Sequence, residues 1–428
     1  MSMTLGLLGI AFRNLLRAKR RNALAGGSMA LGTAALVLAS GLADGISRQL
    51  SDNLVAVQTG HLQVVVRPDD FEPQNNPFDA YGQDRLPDAA ALARRIEEEG
   101  RASGVRRAVP YLFVRGNAVA GSRSSVAWIV GIDPAREPEL RAAQPPVAGS
   151  FLPEGDDMAV YLAEVAARKL RVGAGDSLSF VVQTPQGAVN SLDATVCGIF
   201  PKGAPWYDNA FYVTLGAAQA LVDWPGGATN VKVLLREGSP RAIARARRAV
   251  EAAIALAVPA PLPEATHVAV ESYAEAGRFS WAIIQANQAA LVMLSGFLFA
   301  AAGVGVVNAM LMSVRERTRE IGTMRALGMR RSRVVRLFVL EGLALGAASA
   351  LVGGAVGGAV VLSFAVTGIP MRAAALAWMA GGDVLYPALV PASLLRAVVS
   401  VVLLSTLASV YPALSASRLE PREALHHV

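Results

Sequence analysis

Residues 313–338 read SVRERTREIGTMRALGMRRSRVVRLF, and beyond Val339, Leu340 and Glu341 residues 342–371 read GLALGAASALVGGAVGGAVVLSFAVTGIPM. Those thirty uncharged residues exceed the ~20 that a helix needs to cross a ~30 Å hydrocarbon core. The segment just before them, 315–336, carries eight Arg against two Glu. A loop so basic stays on the cytoplasmic side, so the pair reads as a membrane helix with a cytoplasmic handle. Within the handle Ile321, Met324, Leu327 and Gly328 recur at helical spacing, flanked by Arg317, Arg319, Glu320 and Arg325. This predicts a short coupling helix whose apolar ridge seats in the cleft of a partner.

Working outward, 428 residues at 53% hydrophobic and 17% charged, with a mean hydropathy of +0.40, describe a membrane protein with one sizeable water-exposed part. The net charge of +7 is unevenly spread. Residues 1–22 hold five basic groups and no acid, while 44–281 hold 23 basic and 27 acidic residues. The asymmetry is the positive-inside pattern; a nucleic-acid binder would gather its cations on a folded recognition element. One cysteine, Cys197, excludes an intramolecular disulfide and a thiolate metal cluster, and it reads as a small buried hydrophobe in a strand.

In chain order, 1–22 has the pattern of an amphipathic helix on the cytoplasmic surface and 23–45 is the first span. Its apolar run is longer than the about 7–15 residues of a secretory signal, which predicts an uncleaved anchor. Residues 46–280 form a large extracytoplasmic domain, entered through a stalk with Leu50, Leu54 and Val57 at helical spacing. A strand at 61–66, a helix at 87–99 opened by Pro87 and Asp88, and strands at 109–119 and 125–132 come first. A strand at 230–235, a helix at 239–257 and a strand near 268–270 repeat the order, so one α+β subdomain is split by an insertion over about 133–229. The remainder is a second span (281–314), the coupling segment (315–336), a third span (337–371), an outer loop (372–396), a fourth span (397–417) and a cytoplasmic tail (418–428). The fold class is a four-span α-helical membrane protein in a 1+3 arrangement with a large α+β domain outside.

The string Glu316-Arg317-x-Arg319-Glu320-Ile321-Gly322-x-Met324-Arg325-Ala326-Leu327-Gly328, Glu341 heading a Gly-rich helix, Tyr411-Pro412-Ala413, and Arg418-x-x-Pro421-x-x-Ala424-Leu425 resemble the FtsX-like permease module. That module occurs in lipoprotein-releasing (LolC/LolE) and macrolide-exporting (MacB) ABC transporters. The resemblance implies porter-like and sabre-like subdomains outside, an ABC ATPase dimer docked on the coupling helix, a second or homologous permease copy, and relay of motion from the ATPases outward by mechanotransmission. It implies an inner-membrane location and a lipoprotein or other amphiphile drawn from membrane lipid. MacB-type exporters fuse their ATPase to the permease amino-terminus; about 22 residues precede the first span here, an arrangement closer to LolC/LolE. Lipoprotein release, export of drugs or peptides with an adaptor and outer-membrane channel, and FtsX-like regulation of a cell-wall enzyme are the three readings in that order.

No Gly-Lys-[Ser/Thr], HExxH, CxxC or GxSxG occurs, so no catalytic residue, metal site or cofactor is expected on this chain, and ATP and Mg would be held by the partner ATPase. Gly346, Gly353 and Gly357 lie at small-residue spacing suited to close helix packing, within the chain or against a second permease. Glu341 reads as an interfacial acid paired with Arg333, Arg336 or a cation of another span, and Asn308 as an interhelical hydrogen bond. The loop around Trp206 and Tyr207 reads either as a partner contact or as local packing. A substrate cavity is expected between the stalks, lined by Leu50, Leu54, Val57, Ile283 and Ile284.

An impermeant maleimide applied to intact spheroplasts should leave a cysteine introduced at Ser332 unlabelled until the membrane is opened. Equal labelling before and after lysis would reverse the assigned sides.

Overall fold

The computed structural model describes residues 19–70, 84–86, 88–184, 186–201, 207–257, 265–372, 377 and 382–418. Most of the amphipathic helix expected over 1–22, and the tail beyond Arg418, lie outside the described residues. The chain divides into two compact units, a helical one drawn from Met1–Ser47, Gln285–Ile369 and Leu385–Val428, and a mainly β one drawn from Arg48–Ile284 and Pro370–Val384.

Among the described residues four helices are long and apolar enough to cross a membrane. They run Lys19–Asn53, Arg278–Glu316, Arg331–Thr367 and Pro391–Ser417. The last two begin earlier than their uncharged runs, because arginine stems extend a helix past the apolar zone while their heads reach water, and Pro391 suits a first helical turn. In the helical unit the third long helix is seated by glycines. Gly342 and Gly346 face Ser409 and Ser405 of the fourth helix, and Gly353 and Gly357 face Ala30 and Ala34 of the first. A Cβ on Gly353 would fall on the Ala30 carbonyl oxygen, and one on Gly357 would stand 2.8 Å from that of Ala34. The Ser405 hydroxyl donates to the Gly342 carbonyl at 3.2 Å. These contacts are all within one chain. Asn308, expected to bond across helices, is instead exposed on the second long helix.

The β unit holds strands β1 (Leu62–Pro68), β2 (Val105–Ala120), β3 (Arg123–Ile132), β4 (Ala148–Gly149), β5 (Ala159–Ala163), β6 (Ser177–Gln183), β7 (Val189–Phe200), β8 (Ala210–Thr214), β9 (Asn230–Leu235) and β10 (Thr266–Ser272). They form one sheet path, β10-β1-β9-β2-β3-β8-β5-β7-β4, with β6 joined to β2 and β7. Two cores flank that path. One lies beneath β10, β1, β9 and the start of β2, where Leu62, Val64, Val231 and Val233 meet Leu92 and Ile96 of helix Ala89–Gly100 and Ala246 and Val250 of helix Pro240–Ala257. The other gathers β3, β5, β7 and β8 around Tyr161, Phe180, Phe200, Phe211 and Tyr212. The split α+β plan with an insertion is therefore present, joined by β2, whose first half pairs with β9 and whose second half pairs with β3 and β6. The helix expected over 87–99 spans Ala89–Gly100. Pro87 lies outside the described residues, and Asp88 sits in the left-handed region at φ 48° with no side-chain cap bond.

The first long helix ends in a π turn, Leu54–Gln58, closed by Thr59 N–H donating to the Leu54 carbonyl at 2.8 Å. At this turn lies a buried ion pair. Lys232 of β9 donates to Glu137 at 2.9 Å, to the Ala56 carbonyl at 2.6 Å and to the Tyr111 hydroxyl at 3.1 Å, and both charged side chains are fully buried. Burial lowers the Lys232 pKa while Glu137 opposes the shift. Truncating one partner of such a pair costs roughly 3–5 kcal/mol, because the other charge stays buried.

Two groups in this unit are tuned by burial. The Cys197 thiol, half-buried and donating to the Val160 carbonyl at 3.2 Å, is pushed up to about 11, so the native cysteine is a poor maleimide target. His61 accepts from the Leu235 N–H through Nδ1 at 3.2 Å; burial first, then Arg106 and Lys232, lower its pKa to about 4. The folded state thus favours neutral imidazole. That stability is fully present above the unfolded value of about 6.5 and is lost as pH falls through about 4. Full-length protein in detergent, melted between these limits, should lose stability with acid, and His61→Gln should flatten the slope; an unchanged slope would place the acid sensitivity elsewhere. In the helical unit Gly353→Val should lower the melting temperature by several degrees, as overpacking costs roughly 1–3 kcal/mol. Gly358→Ala, which would meet only Leu389 at 3.8 Å, should melt like the parent.

Candidate coupling surface and membrane cavity

The segment after the second long helix folds as the expected short helix, Thr318–Ala326, and stops at Gly328, whose φ of +91° suits a residue without Cβ. Its apolar ridge is divided between two environments. Ile321 is fully buried and Met324 partly so, in a cluster with Val314, Val334, Phe338, Ala413 and Ala416. Leu327 is 85% exposed and Gly328 is exposed. Half of the ridge thus holds the short helix against the ends of the second, third and fourth long helices. Periodicity shows that a face is covered, and here the cover comes from the same chain.

The flanking charges divide likewise. Arg317 donates to Glu320 at 3.0 Å and to Glu341 at 3.2 Å, and its guanidinium lies over the Phe338 ring with 6.0 Å to the centroid. Glu341 is buried. Its cation is therefore Arg317, whereas Arg333 and Arg336, the partners expected from sequence proximity, are exposed. Arg336, five positions before Glu341, lies about 140° around the helix from it, and Arg333, eight positions before, is likewise exposed. Arg325 donates to the Ser417 carbonyl, meeting an orphan acceptor at the end of the fourth long helix. Arg317 and Arg325 are thus tied inward, and the outward face of the helix is Arg319, Glu320, Thr323 and Leu327.

The stalk residues fare differently from their reading. Leu50, Leu54, Val57, Ile283 and Ile284 are all buried; Leu54 packs against Gly277, where an added Cβ would stand 2.9 Å away, and Val57 belongs to the larger β core. Side chains so covered offer a ligand no surface, so the expected cavity is not lined by them in this chain. Their spacing reported packing. Tyr207 is also buried, in the same core, which makes it a packing residue rather than an exposed contact; Trp206 lies outside the described residues.

A cavity of about 570 Å³ does exist within the helical unit, between the first, second and fourth long helices. Leu36 and Phe299 mark its apolar depth, and Asp44, Gln288 and Arg396 its polar end. Neither Asp44 nor Arg396 belongs to a motif legible in the sequence. Their common signal is position: each stands where a long apolar run meets polar sequence. Among the described residues no cluster of His, Cys, Asp and Glu is arranged to hold a metal.

The model of the MacB-like periplasmic core domain matches residues 23–253, more than half of the chain, and that of the FtsX-like permease C-terminal domain matches 292–421. The lipoprotein-releasing system transmembrane protein LolE of Haemophilus influenzae is 22% identical over 419 residues, covering 93% of this chain and 92% of that protein. A macrolide export ATP-binding/permease protein MacB of Hyphomonas neptunium is 34% identical over 146 residues, 34% of this chain and 19% of that protein. An uncharacterized ABC transporter permease of Bacillus subtilis, YknZ, is 32% identical over 136 residues, 31% of this chain and 30% of that protein. The match therefore spans about a fifth of the MacB relative and nearly all of LolE. With both models placed in order along its sequence, the chain belongs to the FtsX-like, MacB-type family of ABC transporter permeases.

Proposed function

We propose that this chain is the inner-membrane permease subunit through which a separate ABC ATPase dimer drives release of lipoproteins from the membrane. The observation that carries the coupling half is the short helix Thr318–Ala326, held to the third long helix by Arg317 and Glu341 while Arg319, Glu320, Thr323 and Leu327 face outward. A push on that face reaches the third helix through a partly buried ion pair instead of a loose loop. ATP and Mg act in the partner. A second permease, identical or homologous, completes the transporter, and motion passes outward along the long helices. Support for the lipoprotein half is the relation to LolE along nearly the whole chain. The second reading, export of macrolides or other amphiphiles, draws on the higher identity of the shorter MacB match.

Co-expression with its ATPase, in vesicles loaded with a labelled lipoprotein, separates the two. ATP-dependent appearance of the lipoprotein in the soluble fraction supports release, whereas macrolide efflux without lipoprotein movement supports export. For the coupling surface, Leu327→Asp should cut ATPase co-purification about tenfold or more, as loss of an apolar anchor does, with the permease still inserted. Glu341→Gln should retain the ATPase yet lower its stimulation, because the neutral side chain no longer anchors Arg317. Undiminished co-purification for the first and undiminished stimulation for the second would remove this helix from coupling.

A further inference from the structure

We propose that the cavity between the first, second and fourth long helices binds a single-tailed or single-chain-inserted amphiphile whose head carries both an ammonium group and an anionic group. This rests on the reading of the chain as a permease acting on amphiphiles and deepens it by naming the head group. At about 570 Å³ the cavity falls within the ~300–1,000 Å³ typical of small-ligand sites. Its lining is graded along the helices. At one end stand Asp44 from the C-terminal part of the first helix, Gln288 from the N-terminal part of the second, and Ser393 and Arg396 from the start of the fourth. About two turns along the first helix and three along the second the lining reaches Leu36 and Phe299, while the fourth contributes Ala397 and Ser400 and small hydroxyls at Ser40 and Ser295 lie between the two ends. The grading is that of an amphiphile lying along the helices.

The charges specify the head. Asp44 Oδ2 is buried and has no hydrogen-bond partner among the described residues, an arrangement that costs free energy until a donor arrives. The Arg396 guanidinium donates to the Ser393 hydroxyl at 2.9 Å and keeps further N–H donors for an anion, as a planar five-donor group can. Among the ion pairs of the described residues none joins Asp44 to Arg396, though both line one cavity. An acid awaiting a donor and a cation with spare donors, over an apolar slot, complement a zwitterionic head above a hydrocarbon tail. A head without an ionised amine offers Asp44 at most a neutral hydroxyl donor, and one without an anionic group offers Arg396 at most a neutral acceptor, so only the zwitterion makes both bonds charge-assisted at both ends.

The test uses the full chain in anionic phosphatidylglycerol vesicles, which supply no amine. Three photoactivatable single-chain probes are compared: a lysophosphatidylethanolamine, its N-acetyl derivative and a monoacylglycerol, all with the same tail. The first should label peptides containing 288–299 or 393–400, and the other two should label them about tenfold less, in the range expected of a charge-assisted hydrogen bond. Asp44→Asn should abolish the preference for the free amine, and Arg396→Gln the preference for phosphate. Because the probe series works on the unaltered chain, a misfolded variant leaves the test intact. Competition then separates the sources: displacement by diacyl phosphatidylethanolamine alone marks a resident bilayer lipid, and displacement by a lipopeptide with a free α-amine marks cargo; either supports the head-group chemistry. Equal labelling by all three probes, or labelling confined to other segments, overturns it. That result would leave the coupling helix and the ATPase assay untouched, so failure here is distinct from failure of the permease reading.

Discussion

The helical unit depends on one contact, the approach of the third long helix to its neighbours at positions that carry no side chain. Between helices in lipid the hydrophobic effect gives little drive, and dispersion and hydrogen bonds at short range must hold the bundle. Gly353 and Gly357 let that helix lie on the carbonyls of Ala30 and Ala34, while Gly342 and Gly346 admit Ser409 and Ser405. Other features follow from this seat. Glu341 directly precedes Gly342, so the glycine contact fixes the height of the carboxylate, the carboxylate fixes Arg317, and Arg317 fixes the helix Thr318–Ala326. Residues packed inside the bundle thereby set the geometry of an exposed surface, that of Arg319, Glu320, Thr323 and Leu327.

The β unit has its own example of remote control. In NVKVLL the lysine of β9 looks like the outward position of an alternating strand. But β9 lies between β1 and β2, with both faces covered, and Lys232 is enclosed. Its ammonium is satisfied by Glu137 from the insertion, Ala56 from the π turn and Tyr111 from β2. Three segments remote in sequence thus converge on one charge of a fourth, and the pair is better regarded as fixing their mutual register than as adding net stability.

Much of the architecture was legible in the sequence because it is written locally. Long uncharged runs set the spans, and alternation set β3 and β9 to within a residue or two. The reappearance of the strand and helix order after residue 230 revealed the split subdomain. What stayed hidden was what covers each apolar face. Leu54, Val57, Ile321 and Tyr207 have the spacing or chemistry of contact residues, yet all four are consumed by the chain's own packing. Arg317 was separated from Glu341 by a turn that only the folded chain closes, and the cavity bounded by Asp44, Gln288 and Arg396 draws on three helices distant in sequence.

The central place of β9 also governs the order in which the β unit can be assembled. β1 and β2 are made early and do not pair with each other; each pairs with β9, which begins at Asn230, and β1 takes its other neighbour from β10, which begins at Thr266. As the chain emerges from synthesis, the strands Leu62–Pro68 and Val105–Tyr111 wait with an open edge until the whole insertion has been made. An open edge is a template for unwanted pairing, and closing so long a loop slows folding. The insertion's own core, rich in pairings near in sequence such as β2 with β3 and β6 with β7, is free to form during that interval. The later subdomain in the chain therefore becomes the scaffold on which the earlier one closes.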